Sequence, residues 1–487
     1  MDVDILSLLI FPLRFDCPMK SLEQQLIHGW RIHQSKDYAQ AEQIYRGVIA
    51  AAPQSANAWC YLGIALHDQR RYAEAVSAYH EALQLQVDFP VALNNLGNSL
   101  RYIHQYAEAD DCFQRAIKLK PDYLNAYKNR GTLHVWTGNL DRGQAYYEQA
   151  LALNPQEAEL HRNLGVIYLL KGEFEKGWRE YRWRWRVGDL HRTQTDIPVW
   201  DGSDPSGMSI LLTAEQGLGD TLHFVRFAKL LRARGARTIV HCQPPLLALL
   251  QTAEDVGTVF PNNLPWQQPV DWQCSLVDAA DLLGIAADNI PAPIPYLRAA
   301  PQLIQYWQQR LPRRAGVARV GVAWQGNPDH QADAYRSLPL KQFEMLATST
   351  SVEWISLQRG AGTEQIAEWR GVQPLMLLPA DVDQSSGAFM DTAAIMQSLD
   401  LVITSDTAIA HLAGALGIPT WIALGYVPDW RWLLGRDDSL WYPSLRLFRQ
   451  PSMGDWSSVF EQMSAALPHA FTSQRRTLVP PVSPFIL

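Results

Sequence analysis

Glycine recurs every 34 residues in the first third of the chain, at five successive positions: Gly29, Gly63, Gly97, Gly131 and Gly165. A small residue follows each glycine by 12 residues and an aromatic residue by 16, as Ala109 and Phe113 do after Gly97. Most units end at a proline, whose ring cannot continue a helix. A fixed period of this length predicts helical hairpins that stack into a solenoid, because one hairpin cannot bury its apolar face alone.

The spacing of these glycine, small and aromatic residues resembles the tetratricopeptide repeat (TPR). The resemblance implies a solenoid of about five repeats over residues 21–190, after an N-terminal segment at 1–20. Such solenoids often present a concave groove, so we expect a protein or peptide partner. Several polar residues of the first helices either face this groove or are merely solvated: Asn94, Asn95, Asn98, Lys128 and Asn129.

The last repeat ends in alternating Trp and Arg residues, WREYRWRWRV at 178–187. One interpretation is stacking on nucleic-acid bases. The favoured interpretation is a cap that closes the solenoid and packs on the next domain, since terminal repeats need an atypical face. The net charge of -7 and the pI of about 6.0 also disfavour general nucleic-acid binding. We therefore predict no nucleic-acid partner.

Cysteine usage and hydropathy indicate the expected compartment. The five cysteines are scattered without a CxxC pair, which favours a reducing compartment and gives no indication of a metal site. The apolar run near the N-terminus is short, is interrupted by Pro12 and carries Asp2 and Asp4 instead of positive charge. No stretch is long enough to span a bilayer. We expect a cytoplasmic protein without an integral membrane segment.

From about Pro198 the pattern changes to short apolar runs that alternate with helical segments, which predicts parallel α/β units. The predicted domain has two lobes, at 197–300 and 316–470, followed by a tail at 471–487. The proline-rich stretch from Pro261 to Pro301 is predicted to link the lobes. The predicted fold class is therefore α + α/β, a solenoid followed by two Rossmann-like sheets with a cleft between them.

The first candidate functional motif is EQGLGD at 215–220, between a predicted strand and the predicted helix 220–233. Gly217 and Gly219 relieve steric limits at a sharp turn. Asp220 is predicted at the N-cap of the helix. It is either a plain capping residue or a general base that accepts a proton from an acceptor hydroxyl.

The second motif is ITSDTAIAHLAGALGIPTW at 403–421, where a predicted strand ends at Ser405. Asp406 and Thr407 precede a helix whose first N–H groups and dipole form an anion site that a nucleotide diphosphate fits. His411 follows Thr407 by four residues and shares its helix face. It either contacts a ribose or phosphate or has a structural role.

The third motif is the polar loop WQGNPDHQADAYRS at 324–337. Functional residues concentrate on such loops. Arg336 could neutralise phosphate charge, and His330 and Asp333 could touch a ligand. A solvated loop is the competing interpretation. Trp324 and Gln325 in this loop, and Gln358 at the end of the predicted strand 353–358, are further candidate binding residues.

Two other segments are predicted to be structural. The aromatic segment at 428–450 is expected to close the second lobe, although Arg431 and Arg436 could reach the cleft. The Asp381-Val382-Asp383 sequence looks like a metal-binding motif but lies in a loop without a second acidic cluster, and hard cations need several oxygen ligands. No metal site is predicted.

The segments GLGDTLHF at 217–224, SDTAIAHLAGALGIP at 405–419 and DWRWLLGRDDSLWYPSLRLFRQ at 429–450 are similar to bacterial TPR proteins with a C-terminal domain of the heptosyltransferase family. The resemblance covers nearly the whole chain. It implies a GT-B glycosyltransferase in which Asp220 is the base and Asp406, Thr407 and His411 grip the nucleotide diphosphate. The lysine that this family places near the donor phosphates has no clear equivalent, and Arg336 is the expected substitute.

The sequence therefore predicts a metal-independent glycosyltransferase, with a nucleotide-sugar as donor substrate and no cofactor. Asp220 and Arg336 are the predicted catalytic residues. The predicted binding residues are Gly217, Gly219, Trp324, Gln325, Gln358, Ser405, Asp406, Thr407 and His411. The TPR groove is expected to select the hydroxyl acceptor, a protein or a glycan. The alternative is a non-catalytic TPR scaffold with a degenerate glycosyltransferase-like domain.

Overall fold

A computed structural model describes residues 18–188, 196–215, 217–329 and 333–471. The predicted segments at 1–20 and 471–487 lie almost wholly outside these ranges. Contacts divide the chain into two compact units, Met1–Leu164 and Gly165–Leu487. Across the described ranges, no helix has both the length and the apolar character needed to cross a bilayer.

The first unit is a series of antiparallel helical hairpins. Its helices are α1 Pro18–Gln34, α2 Tyr38–Ala51, α3 Ala56–Asp68, α4 Tyr72–Leu85, α5 Pro90–Tyr102, α6 Tyr106–Leu119, α7 Leu124–Trp136 and α8 Leu140–Leu153, followed by α9 Ala158–Leu170, which extends into the second unit. One continuous core of aliphatic, small and aromatic side chains runs through the hairpins. The predicted solenoid is confirmed.

The 34-residue glycine period has a direct steric cause. A Cβ atom added at Gly63 would lie 2.5 Å from the Tyr79 ring, and one added at Gly97 would lie 2.7 Å from the Phe113 ring. Tyr79 and Phe113 are the aromatic residues that follow these glycines by 16 positions, and both are buried. The glycine therefore lets the two helices of one hairpin approach with an aromatic ring between them.

We expect the substitution Gly63→Ala to destabilise the chain by about 1–3 kcal/mol, because the added methyl group overpacks the Tyr79 contact. The matched control is Gly47→Ala in α2, where a Cβ meets nothing within 4 Å. This control should stabilise by up to about 1 kcal/mol through helix propensity. Urea unfolding followed by circular dichroism measures both changes. Equal effects of the two substitutions would contradict the steric explanation.

The second unit contains two parallel sheets. The first has the order β3-β2-β1-β4. Its strands are β1 Ser209–Thr213, β2 Arg237–Cys242, β3 Thr258–Pro261 and β4 Trp272–Ser275. The helices of this part are α10 Phe174–Tyr181, α11 Leu218–Phe224, α12 Arg226–Ala233, α13 Leu247–Leu250 and α14 Leu276–Leu282.

The second sheet has six strands in the order β10-β9-β8-β5-β6-β7, all parallel. Its strands are β5 Ala318–Ala323, β6 Val352–Ser356, β7 Leu375–Leu377, β8 Leu401–Ser405, β9 Thr420–Leu424 and β10 Leu445–Arg449. The helices are α15 Pro301–Arg310, α16 Asp333–Arg336, α17 Met390–Met396, α18 Ala408–Ala415 and α19 Trp456–Ala466. Parallel sheets of this kind fit a Rossmann-like domain.

The structure corrects two details of the predicted elements. The stretch from Pro261 to Pro301 is not only a link, because β4 and α14 lie inside it. The predicted helix 220–233 is two helices, α11 and α12, which meet at Val225. Both errors arise because short buried strands and short helices carry too few residues for a clear period.

Candidate functional site

The turn after β1 holds Asp220 in a fixed orientation. Helix α11 begins at Leu218 with Gly217 as its N-cap, so Asp220 is the third helical residue and not the predicted N-cap. Its Oδ2 atom accepts a hydrogen bond of 3.1 Å from the Gly217 backbone N–H. This bond satisfies one of the helix-start donors. The side chain remains about one-fifth exposed.

Helix α11 of the first sheet packs directly on α18 of the second. A Cβ added at Gly219 would lie 3.1 Å from the His411 Cδ2 atom and 3.4 Å from the Ala408 Cα atom. Gly219 therefore permits a close backbone approach between the turn and the first turn of α18. The structure thus brings together two motifs that are nearly 200 residues apart in sequence. Gly217, Gly219 and Asp220 lie on one side of this contact, and Thr407 and His411 lie on the other.

Arg431 connects the same two parts of the unit. It lies in the short 3-10 helix Trp430–Trp432, and its Nη2 atom donates to Asp220 Oδ1. Its Nη1 atom donates to Asp429 Oδ1 at 2.9 Å. The guanidinium also stacks on the Trp430 ring, 4.4 Å from the centroid. Arg431 is buried. The segment was predicted to be structural with a reach of Arg431 to the cleft as the open alternative, and the contact with Asp220 favours that alternative for Arg431.

Arg436, the other arginine named in this segment, does not join the cluster. It forms an ion pair with Asp438, in which Nε and Oδ1 are 2.7 Å apart. The Asp438 side chain is about two-thirds exposed. Arg436 is therefore a surface residue of the same segment, and it provides a matched control for Arg431.

The start of α18 has no side-chain cap. Thr407 is the N-cap, but its side chain makes no capping hydrogen bond. Intrahelical partners are missing for the first N–H groups of any helix. The Ser405 hydroxyl at the end of β8 is also buried and has no hydrogen-bond partner among the described residues. Ser405 and Thr407 thus border a site that an anion could fill.

The Asp406 carboxyl group titrates in an unusual range. Burial, together with the nearby charge of Asp429, raises its pKa to about 7. The side chains of Trp432, Arg336 and Arg431 oppose this rise. Asp406 is therefore neutral below about pH 7 and gains its charge above it. A neutral carboxyl group beside the helix start does not repel an anion.

His411 belongs to a buried network and is not exposed in a groove. Its Nδ1 atom lies 3.0 Å from the Tyr442 hydroxyl, which also lies 2.8 Å from Nδ1 of His223. Its ring stacks on Trp432 with an interplanar angle of 16°. Burial and the charges of Arg431, Arg226 and Arg336 hold the pKa of His411 well below its usual range. His411 is therefore neutral and can contribute hydrogen bonds but no charge.

Arg336 approaches this cluster from the loop after β5. Its Nε atom lies 3.3 Å from Asp333 Oδ1, and the side chain is about one-quarter exposed. A Cβ at Gly326 would lie 2.7 Å from its Nη2 atom, so this glycine makes room for the guanidinium. Arg336 acts electrostatically on both Asp406 and His411. His330 of the same loop lies outside the described residues.

Gln358 is hydrogen-bonded to both Trp324 and Gln325. Gln358 Oε1 accepts from the backbone N–H groups of Trp324 and Gln325, at 2.9 and 3.0 Å. Gln358 Nε2 donates to the carbonyl oxygens of Gln325 and Ala361. Trp324 is fully buried. These contacts give Gln358 a structural role, in which its side chain connects the ends of β5 and β6.

A groove of about 530 Å³ opens beside Gln358, at the carboxyl ends of β6 and β7. Its lining includes Ser356, Gln358, Thr363 and Leu377. The Ser356 hydroxyl is buried and has no hydrogen-bond partner among the described residues. The volume lies in the range of small-molecule sites, about 300–1,000 Å³. Ligands of open α/β sheets bind at this edge.

The Trp/Arg segment of the last repeat anchors the residue that precedes the glycine turn. Arg184 Nη2 donates to Glu215 Oε1 at 2.9 Å and to Asp278 Oδ1 at 2.7 Å. Burial, Asp278 and Asp220 raise the pKa of Glu215 to about 7, although Arg184 opposes the rise. Trp178 Nε1 donates to the Ile285 carbonyl oxygen. These contacts agree with the favoured interpretation that the segment packs on the α/β domain.

The DVD sequence has a local role in the structure. Asp383 Oδ1 accepts from the backbone N–H groups of Asp391 and Thr392, at 2.7 and 3.1 Å. It therefore caps the start of α17, as carboxylates commonly do at helix N-termini.

Comparison with known proteins identifies the repeats. Family models of the tetratricopeptide repeat match residues 56–89, 90–123 and 129–177. The chain contains TPRs, which are protein-interaction modules. Protein FlbA of Caulobacter vibrioides is 27% identical over an alignment of 317 residues, which covers 60% of this chain and 52% of FlbA. The chain thus spans about half the length of this relative.

Two solved structures each match about a third of this chain. MamA from Desulfovibrio magneticus RS-1 is 20% identical and matches 33% of this chain and 91% of its own, with a TM-score of 0.30. A thermophilic TPR protein of Thermus thermophilus is 17% identical and matches 34% of this chain and 90% of its own, with a TM-score of 0.32.

Proposed function

We propose that the second unit transfers a sugar from a nucleotide-sugar donor to a hydroxyl acceptor. The observation that carries this proposal is the direct packing of the Asp220 turn on the start of α18. One side of this contact supplies a carboxylate oriented by Gly217 and Arg431. The other side supplies uncapped helix-start donors with Arg336 nearby. A base and an anion site are the two parts that this chemistry requires.

The proposed step balances without a metal ion. The acceptor oxygen attacks the anomeric carbon of the donor sugar while its proton passes to an Asp220 oxygen. The Asp220 carboxylate accepts from Gly217 and Arg431 and is about one-fifth exposed, so an acceptor hydroxyl can approach it. The bond from the anomeric carbon to the phosphate oxygen breaks, and its electron pair leaves with the nucleoside diphosphate. Arg336 and the α18 amides would stabilise the departing charge.

The groove at the ends of β6 and β7 supports a place for the nucleoside. It is large enough for a base and ribose, and the buried Ser356 hydroxyl would gain a hydrogen-bond partner there. Gln358 lines this groove and also binds the backbone at Gln325, in the loop that carries Arg336. The phosphates would then lie towards Arg336 and Thr407.

The first test is a thermal-shift screen of the full chain against UDP, ADP and GDP and their sugars. A ligand at a hundredfold excess over its dissociation constant stabilises the native state by about 2.7 kcal/mol. The substitution Arg336→Gln should remove most of the shift. Arg436→Gln is the matched control, because Arg436 is similarly exposed and also paired with an aspartate. If the folded protein shows no thermal shift with any of these nucleotides, the proposal is wrong.

The pH dependence of nucleotide binding gives a second expected result. Asp406 has a pKa of about 7, so it becomes negative as the pH rises through this value. Affinity for a nucleoside diphosphate should then fall at least about fivefold, since two like unit charges about 4 Å apart repel by ~1 kcal/mol in bulk water and by more near a protein surface. The substitution Asp406→Asn should remove this part of the pH dependence. Titration calorimetry on both proteins measures this affinity. Titration of the phosphates affects both proteins equally, so the difference between them is the effect of Asp406.

A scaffold function without catalysis is the second candidate, and the TPR matches favour it. In that case the α/β domain would bind no donor or would bind it without turnover. A thermal shift combined with no release of nucleoside diphosphate, across a range of acceptors, would favour the scaffold. Release that depends on an added acceptor would favour the enzyme.

A further inference from the structure

Two histidines of the second unit share one hydroxyl group. The Tyr442 hydroxyl lies 2.8 Å from Nδ1 of His223 in α11 and 3.0 Å from Nδ1 of His411 in α18. His223 and Tyr442 are fully buried, whereas His411 keeps 7% of its surface exposed. Tyr442 therefore connects the helix that carries Asp220 to the helix whose start forms the candidate anion site.

The two hydrogen bonds require opposite proton positions in the two rings. Burial, together with nearby arginines, holds the pKa of His223 and of His411 well below the usual range, so both rings are neutral. A neutral imidazole has one donor nitrogen and one acceptor nitrogen, and a hydroxyl has one proton. If Tyr442 bonds to both rings with that proton, one Nδ1 atom donates to it and the other accepts from it.

Burial indicates which histidine donates. His223 Nε2 is buried and has no hydrogen-bond partner within the part of the chain that the structure describes. Buried N–H groups without a partner are rarer in native structures than buried acceptors without one. We therefore assign the His223 proton to Nδ1, from which it is donated to Tyr442. Tyr442 then donates to Nδ1 of His411, and His411 carries its own proton on Nε2.

Tyr296 is a second group near the Tyr442 hydroxyl. Burial, with Tyr296 nearby, raises the pKa of Tyr442 above its usual range. The Tyr296 hydroxyl already donates to the Leu222 carbonyl oxygen at 2.9 Å and accepts from Arg226 Nη2 at 2.8 Å. A Tyr442 proton directed to Tyr296 would place the His411 proton on Nδ1. The two arrangements thus give His411 opposite tautomers, which a measurement can separate.

The Nε2 edge of His411 lies at the contact between the glycine turn and α18. Its Cδ2 atom, which is bonded to Nε2, would lie 3.1 Å from a Cβ at Gly219. One ring face stacks on Trp432, and Nδ1 faces Tyr442, so the Nε2 edge is the part that a ligand can reach. His411 is the fourth residue of α18. Because helical side chains tilt towards the N-terminus, its ring lies over the first turn.

We propose that Tyr442 and His223 are positioning residues that fix His411 with its proton on Nε2, where it donates to a phosphate oxygen of the nucleotide-sugar. This inference rests on the proposed function for the identity of the ligand. A donor to a phosphate oxygen forms a charge-assisted hydrogen bond. The opposite tautomer would turn a lone pair towards the phosphate and repel it.

The first measurement is nitrogen NMR on the full chain, labelled at histidine and without any ligand. Protonated and unprotonated ring nitrogens differ widely in chemical shift, and His411→Gln and His223→Gln assign the signals. We expect the proton on Nε2 of His411 and on Nδ1 of His223. Tyr442→Phe should release both tautomers. Tyr296→Phe, which removes another buried hydroxyl of the same network, is the matched control and should leave them unchanged.

The second measurement is titration calorimetry with UDP, ADP or GDP, whichever gives a thermal shift. Tyr442→Phe should weaken binding about tenfold, the lower end for a hydrogen bond to a charged group. Tyr296→Phe should change the affinity little. In a His411→Gln chain, whose carboxamide supplies an N–H donor near the Nε2 position, Tyr442→Phe should cause no further loss of affinity.

Two results would overturn the inference: a His411 proton on Nδ1, or equal losses of affinity in the two tyrosine variants. Because the tautomers are measured on the parent chain, they test the inference even where Tyr442→Phe does not fold. A wrong tautomer with nucleotide binding intact refutes this inference alone. Absence of nucleotide binding by the parent chain refutes the proposed function and, with it, the phosphate as the ligand of His411.

Discussion

Replacing Asp220 by asparagine is expected to lower the rate of sugar transfer by about 10²- to 10⁴-fold, the usual contribution of a general base. Asparagine has nearly the same shape and can still accept from the Gly217 N–H, but it cannot take the acceptor proton. Nucleotide binding at α18 should change little, because Asp220 lies on the opposite side of the contact. The measurement is release of nucleoside diphosphate from the donor that the thermal-shift screen identifies.

The control for this prediction is Asp429→Asn. Asp429 is the other carboxylate partner of Arg431, but the proposed step gives it no proton. Its substitution therefore reports the loss of one ion pair without the loss of a base. If the two variants slow transfer equally, Asp220 acts through Arg431 and not as the base. If Asp220→Asn keeps full activity, the proposed chemistry is wrong.

Replacing Arg431 by methionine is expected to destabilise the chain by about 2–3 kcal/mol. Removing one partner of a fully buried ion pair costs about 3–5 kcal/mol. A lower value is expected here because Asp220 is about one-fifth exposed and Asp429 about one-third. Urea unfolding followed by tryptophan fluorescence measures the change. Arg436→Met, which breaks a surface pair, should stay within about 1 kcal/mol of the parent.

The pH dependence of this deficit adds a second check. Arg431 helps to lower the pKa of Asp406, so its removal raises that pKa further above about 7. A neutral carboxyl group has no charge attraction to a nearby cation, so removing the cation costs it no stabilisation. The loss of unfolding free energy caused by Arg431→Met should therefore become smaller as the pH falls from about 8 to about 6. A deficit that is constant over this range, or equal effects of the two arginine substitutions, would contradict the assignment.

The repeats could be predicted from sequence because their cause is local. Each glycine and its aromatic partner lie in one hairpin, so the same steric requirement recurs in every repeat and is visible in the sequence. The end of β8 at Ser405 was predicted where it is observed, since this strand is a buried apolar run. Strands β3 and β4 have only four residues each and gave no usable period.

The candidate site was harder to predict because its contacts are distant in sequence. The glycine turn and the α18 start were both named from their local chemistry, but no pattern indicated that Gly219 would pack on His411. Arg431 was assigned to structure because its segment is mainly aromatic. Its partner Asp220 lies 211 residues away. Asp429, two residues before Arg431, is already a charge partner within the segment, so no local feature indicated a second, distant partner.

The glycine–aromatic contacts have a consequence for how a chain of this kind can change in length. Gly63 and Tyr79 are both within the α3–α4 hairpin, and Gly97 and Phe113 are both within α5–α6. A hairpin gained or lost by recombination would therefore carry both halves of its tightest contact with it. The solenoid can be lengthened or shortened in whole hairpins, whereas the pair formed by Asp220 and Arg431 depends on nearly the whole α/β domain remaining intact.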